Sequence, residues 1–533
     1  MAISNTTLVQ AGAAFYGMAS DGSFTAMTAP TTATVSATNK PRFTVDGAFA
    51  VVVNSVAPPL IADDSGILLF LSPAAPTVAP TVAATVSGTL TGTYFVKYTF
   101  IILDTNSTLI AESDFSPVSA SVSPSSKKIS VSALQLMSGL GTSIDPRYTV
   151  QRRLYRTTNG TTTYFKWLDV ADNTTTTAVD DASDASLATF SAPTLGSIAS
   201  LSHVANFGGR LFGVAIGTAR DVLRYTETAA RWAWPAANIF TMPQVPGDPQ
   251  AGITALMPRR DALGIAKANM FIELRGVSDA NFSTVILSST VGTLNQETVA
   301  SFRDMVYFLS RDGVYSWSDA GLTNLAEGKV KAWFTTDTYF NRDLFSSAFA
   351  YIDINTGRYY LFLVSAGSTT VDRWVEYNIE NNTWWGPHIT AAYTPTSAFA
   401  IAAPTPTFAI GETVGFVTKE SATRNDNTTS PIASDVITVP MTSESPPQTQ
   451  YWGELYTEVT PQATGNLGIE VKVGEPADVY ASKRYHPLKD GVFNTGRMGV
   501  GRWAQFRFTH NGLNEVLELI GFEINPVNKI GRR

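Results

Sequence analysis

The chain has 533 residues, 44% of them hydrophobic and only 15% charged, with a net charge of -7 and no cysteine. That length exceeds one ordinary core and calls for about three or four domains of roughly 100–200 residues each. The composition excludes a disulfide framework, a thiolate metal site and a large basic nucleic-acid-binding face, although a mildly acidic wall that repels phosphate is compatible with DNA passing nearby.

Gly 39, Pro 28 and clustered Thr and Ser favour strands and turns over helices. The opening MAISNTTLVQAGAAF lacks a basic stretch followed by an apolar one, so no signal peptide is expected. Residues 1–38 are polar and rich in Ala, Thr and Ser, and read as extended or poorly fixed chain. RFTVDGAFAVVV (42–53) alternates as a strand pair around Asp46-Gly47. The apolar run ILLFL (67–71) is far too short to span a bilayer, and no membrane insertion is expected. The Pro-studded SPAAPTVAPTVA (72–83) reads as a linker.

A new unit opens with the alternating stretch GTYFVKYTFIILD (92–104). It continues through DTNSTLIAESDFSP (104–117), KKISVSAL (127–134) and YTVQRRLYRTTNGTTTYFKWLDVAD (148–172), where Asn159-Gly160 signals a hairpin. DDASDASL (180–187) closes it. Such a run of short strands predicts an antiparallel sandwich of the fibronectin or immunoglobulin type.

From about residue 196 the pattern becomes strand, tight polar turn, strand, with aromatic punctuation. It recurs in HVANFGGRLFGVAIG (203–217), RYTETAARWAWP (224–235), ALGIAKANMFIELRG (262–276), DMVYFLSRDGVYSWSD (304–319), YIDINTGRYYLFLVS (351–365), DRWVEYNIENNTWWGP (372–387) and TFAIGETVGFVTKE (407–420). Hairpins repeated about every 40 residues mark propeller blades, of which five to seven are expected if the 40–72 segment contributes; a large irregular sandwich is the alternative. One helix is expected within NLAEGKVKAWF (324–334). Polar connectors at 424–434 and 442–450 lead to alternating strands from YWGELYTEV (451–459) to VLELIGFEINP (516–526), a second sandwich. The predicted class is therefore all-β: an irregular β-propeller with an inserted fibronectin/Ig-like β-sandwich and a C-terminal β-sandwich. The divisions fall at 1–75 (an N-terminal arm and strands joining the propeller), 76–195, 196–432 and 433–533.

No catalytic, cofactor-binding or metal-ligating residue is expected. FLSRDGVYSW (308–317) resembles the Asp box of sialidase propellers in Ser310, Asp312 and Trp317, but Gly313 directly follows the aspartate, and Asp-Gly is itself a common hairpin turn. The four histidines, His203, His388, His486 and His510, are scattered without metal-ligand spacing and read as surface or hydrogen-bonded residues. No Gly-x-Ser-x-Gly, P-loop or GxGxxG opens a helix. The acid pairs Asp63-Asp64 and Asp180-Asp181 could serve a glycosidase but read as solvated turns. Asp353, Asn355 and Gly357 resemble part of a calcium loop without its 12-residue frame, and GDP (247–249) is a plain turn. Arg152-Arg153, Arg156, Arg259-Arg260 and Arg532-Arg533 read as solvated loops or subunit contacts. Trp232, Trp234, Trp384 and Trp385 read as core packing, or alternatively as a carbohydrate platform.

The order of these parts resembles a viral architecture. GTYFVKYTFIILD through DDASDASL resembles a fibronectin-like module of phage tail proteins. NFGGRLFGVAIG, RYTETAARWAWPAANIF, MFIELRG and MVYFLSRDGVYSW resemble the propeller of tail nozzle proteins of short-tailed, podovirus-like bacteriophages. YWGELYTEV to LIGFEINP resembles the sandwich that follows it, so the resemblance covers roughly residues 40–533. It implies a non-enzymatic virion component without cofactors: a hexameric ring below the portal and adaptor, contacting tail fibres, retaining the packaged DNA end and conducting it during ejection. The contact with DNA would be transient and non-specific. A receptor- or carbohydrate-binding tail protein, a propeller glycosidase and a baseplate component of a long-tailed phage are the alternatives.

Overall fold

The computed structural model describes residues 2–524 except 4–5, 20–22, 31–32, 34, 140–144, 188–190, 218–219, 245–251, 391–393, 402–406, 414–416, 420–433, 439, 443–449, 463, 475–478, 481–483 and 511–518. GDP (247–249), Arg532-Arg533 and most of the 424–434 connector lie outside that set. The chain is all-β, built from antiparallel sheets. Among the described residues the α-helices are the short turns Asp184–Leu187 and Lys331–Thr335, the latter overlapping the end of the segment where a helix is expected. Two compact units emerge, residues 1–389 with 394–418, and 390–393 with 419–533.

The first unit holds seven sheets in which strands adjacent in sequence are neighbours in space. They span residues 2–26, 42–70, 201–241, 255–288, 300–324, 349–389 and 395–419; the last has three strands and the others four. Of the two readings of residues 1–38, extended or poorly fixed, the described part is extended: Thr6–Ala11, Ala14–Met18 and Phe24–Ala26 pair as strands, and Leu8, Phe15 and Met18 point into cores. Tight turns set the registers. Phe207 pairs with Arg210 across Gly208-Gly209, whose φ values of +60° and +73° suit the two-residue turn that follows the twist of its strands. At two other hairpins the turn lies one residue away from the expected dipeptide. Asp46 pairs with Phe49 across Gly47-Ala48, and Ser310 pairs with Gly313 across Arg311-Asp312.

Each sheet shares a core with the next. Leu8 and Phe15 pack with Ala50, Val52 and Leu60. Val51 and Ile61 lie in one cluster with Leu201, Val204 and Leu211. Phe212 and Leu223 join Leu263 and Ile272, Phe271 stacks on Phe308 at 5.5 Å, and Tyr307 and Leu309 pack with Leu361 and Val375. Phe408 stacks on Tyr351 and Tyr360 at 5.0 and 5.3 Å. Met18, Ile401 and Ala409 form a final cluster, which returns the chain of contacts to the first sheet. Full burial of such side chains contributes about 1.5–3 kcal/mol each.

Seven strands occupy residues 81–180. Leu109–Glu112, Val96–Asp104, Tyr148–Thr157 and Tyr164–Val170 form one sheet, in that order. Ala178–Asp180, Ser125–Ser132 and Thr81–Thr91 form the other, so the expected linker already becomes strand at Thr81. Tyr98, Phe100, Ile129, Val131 and Leu154 fill the core between them. Here several expectations of solvated charge are corrected. Arg152 and Arg156 lie on the same strand face as Leu154 and are fully buried. Arg156 pairs with buried Asp180 and with Asp184 at 2.7 Å, donates to Ala182 O, and lies over the Tyr94 ring. Arg152 donates to Asp172 O at 2.8 Å. Asp63 is also buried and accepts from Tyr148 Oη at 2.8 Å. A guanidinium's fixed fork of donors makes such burial tolerable where carbonyls and carboxylates meet it.

The second unit pairs the sheet of Ser434–Ile437, Trp503–His510, Asn466–Gly474 and Arg484–Pro487 with that of Val492–Gly501, Gln450–Val459 and Leu519–Ile524. Trp452, Leu455, Leu467, Ile469, Phe506 and Phe508 fill its core.

Candidate functional site

The residues singled out from sequence do not converge. Ser310 and Trp317 of the Asp-box-like hairpin are buried, Trp317 fully so, and Asp312 accepts a hydrogen bond from Tyr315 Oη at 2.9 Å. Arg259 is buried too, its guanidinium 4.8 Å above the Trp317 ring and its Nη2 2.6 Å from Asp319, while Arg260 stays exposed. Asp353 caps its own hairpin turn by accepting from Asn355 N at 3.0 Å and from Thr356 Oγ1 at 2.5 Å. The tryptophans separate: Trp234 is buried, Trp232 packs against the same core, Trp384 donates to Leu325 O at 3.0 Å, and Trp385 is 49% exposed. His388 stacks on Trp374 at 4.1 Å and His486 on Phe493 at 5.1 Å; His510 is buried. Among the described residues no three His, Cys, Asp or Glu gather as a metal site, and no helix is long and apolar enough to cross a membrane.

What the first unit does assemble is a cavity where its seven sheets meet. Three adjoining hollows of about 580, 420 and 550 Å³ share Glu297, and each contains Lys40 or Arg42. Their walls come from the start of the 42–70 sheet, from Ser202 and His203, Ile253 and Thr254, the 294–297 segment, Ser346 and Phe349, Thr394 to Thr396, and Leu8 to Gln10.

The short 3-10 turn Gln296–Thr298 organises this region. Asn295 caps it by accepting from Glu297 N, and its Nδ2 donates to Ser346 O at 2.7 Å and Ala348 O at 2.5 Å. Gln296 accepts from Leu256 N at 2.7 Å and donates to Leu256 O at 3.0 Å. Tyr359 Oη donates to Thr298 O at 2.8 Å. One four-residue segment thus satisfies backbone groups of the 255–288 sheet and of the turn that leads into the 349–389 sheet, which fixes Glu297 at the cavity wall. Arg42 Nη2 lies 3.1 Å from Glu297, and its Nη1 donates to Ser202 O at 2.8 Å.

The electrostatics follow from this placement. Lys40 is open to solvent within the hollow, its ammonium 5.6 Å over the Phe349 ring. Desolvation by the surrounding protein lowers its pKa; Glu297 opposes that effect and Arg42 adds to it. His203, with Nδ1 2.9 Å from Ser202 Oγ, is pushed down to about 3 by burial and then by Arg42, so it stands neutral at physiological pH. The result is a hydroxyl-lined recess biased positive around a single carboxylate. Glycosidic hydrolysis by the usual route needs two carboxyl groups about 5–9.5 Å apart, and Glu297 is the one carboxylate among the described residues that line these hollows.

No family model and no curated protein matches the chain. Solved structures give distant likenesses. An exo-β-1,3-galactanase of Phanerochaete chrysosporium aligns at 8% identity over 60% of this chain and 94% of that one, with a TM-score of 0.21. PorZ, a surface component of the type-IX secretion system of Porphyromonas gingivalis, aligns at 8% identity over 98% of this chain and 80% of that one, with a TM-score of 0.27. Likeness at that level carries no functional argument.

None of Lys40, Arg42, Asn295 or Glu297 stands out in the sequence. Lys40 and Arg42 sit in an ordinary strand entry, NKPRF, and no spacing links positions 40 and 297. The one local trace is Asn295 ahead of Glu297, a capping pattern that says nothing of a cavity.

Proposed function

We propose that this chain is a structural, non-enzymatic component of a bacteriophage tail. It forms a hexameric nozzle ring below the portal and adaptor, which retains the packaged DNA end and conducts it during ejection. The observation that carries the reading is the order of modules. Two antiparallel sheets precede and five follow an inserted pair of sheets with seven strands, and two further sheets come last; we read these as a seven-bladed propeller, an inserted fibronectin/Ig-like sandwich and a C-terminal β-sandwich. That order is the one in which the sequence resembles tail nozzle proteins. Sheet-to-sheet packing that ends where it began supports the propeller. The outer strand Ser283–Ser288 supports assembly. It carries no charge and exposes Val285, Ile286 and Leu287 at a sheet edge, where a monomer ordinarily places protective charges.

A ring of six needs a heterologous interface that closes on itself. In this reading the interface completes only on its platform, so purified protein sediments as a monomer or weak oligomer and forms rings when portal–adaptor complex is added. A stable ring from the chain alone, or no binding to the platform, contradicts the proposal. A receptor-binding role is the second reading, favoured by exposed Trp385 and Ile389 on the edge strand Thr383–Ile389. Glycan-array binding lost in Trp385→Ala would favour it.

A further inference from the structure

We infer that the cavity around Lys40 and Arg42 is a binding site for a small oxyanion carried on a polyol, a carboxylated or phosphorylated sugar. This goes beyond the tail assignment and does not depend on it.

Charge is the first ground. Lys40, Arg42 and Arg220 line the hollows against the single carboxylate of Glu297, in a protein whose net charge is -7. A local excess of cations inside a concave, partly desolvated wall raises the local concentration of small anions. The second ground is unused bonding capacity. Lys40 makes no hydrogen bond or ion pair among the described residues, although the surrounding protein lowers its affinity for a proton; its ammonium lies over the Phe349 ring. Arg42 spends its two terminal nitrogens on Ser202 O and Glu297, while its Nε is buried without a hydrogen-bond partner. Cationic donors with unused N–H groups are stabilised by an oxyanion that accepts from them.

The third ground is the wall itself. Ser55, Ser346, Ser347, Thr369, Thr370 and Thr396 surround the cations in the 580 Å³ hollow. Hydroxyls that both donate and accept suit the hydroxyls of a polyol. The volume lies within the range of small-ligand sites, about 300–1,000 Å³. An inorganic cation is disfavoured by the same charges.

Titration calorimetry on the full chain tests this with glucuronate, glucose 6-phosphate and neutral glucose. Binding of either acidic sugar without binding of glucose is expected, and which one binds distinguishes the carboxylate from the phosphate source. Lys40→Gln should weaken that binding about tenfold or more, equivalent to about 1.4 kcal/mol. Its melting temperature should not change, because Lys40 makes no internal hydrogen bond. Absence of binding by both acidic sugars at millimolar concentration overturns the inference. So does glucose binding equally well, or Lys40→Gln leaving the affinity unchanged in a normally melting protein.

Discussion

His203 and His388 show how far single residues were legible. Their scatter argued against a metal site, but sequence could not give their burial, because burial is decided by strands distant in the chain. His388, stacked on Trp374, is pushed down to about 4 by burial, and His203 to about 3. Both folded values lie below the unfolded value of 6.5, so the unfolded chain binds more protons. Their contribution is therefore fully present above about pH 6.5 and is lost as pH falls toward 4. At pH 5 the loss should reach up to about 2 kcal/mol for each. Urea-unfolding midpoints should fall between pH 7 and pH 5, above the range where most carboxylates titrate; a flat midpoint would show that neither imidazole is held neutral. The arginines teach the converse. Arg152, Arg156 and Arg259 looked like surface charges because their partners, Asp172, Asp180 and Asp319, lie 20, 24 and 60 positions away.

At the scale of elements, the hairpins were legible because their information is local. Gly208-Gly209 needs only its own two residues to specify a turn. The one-residue offset at Asp46 and Ser310 reflects pairing across the whole strand, which the turn dipeptide alone does not determine. The pairing of residues 6–26 was not legible because their strands are short, and their few inward side chains fill cores built mostly by the 42–70 and 395–419 sheets. Packing between sheets gives the sharpest prediction at this scale. A Cβ on Gly264 would fall 2.8 Å from both Phe271 Cζ and Trp317 Cζ3, where the 255–288 and 300–324 sheets meet. Gly264→Ala should cost about 1–3 kcal/mol through overpacking, and Gly264→Val more. Denaturant unfolding of the two variants measures this; a neutral Gly264→Val would mean that the two sheets part easily.

For the molecule as a whole, the all-β class was legible from turn residues, Thr and Ser content and short alternating runs. Strand content survives imprecise boundaries, whereas closure does not announce itself. That seven sheets pass their cores from one to the next and back to the first depends on contacts such as Met18 with Ile401, nearly 400 residues apart. The cavity follows from that closure, since Lys40, Arg42 and Glu297 approach one another only when the sheets converge. Function at this scale rests on the order of modules, and the most direct test is electron microscopy of the virion that carries the chain. The nozzle reading predicts sixfold density directly below the portal and adaptor that accepts a seven-sheet ring, its inserted sandwich and the terminal β unit. Density at the tail periphery, in threefold spikes, would contradict it and move the function to receptor engagement.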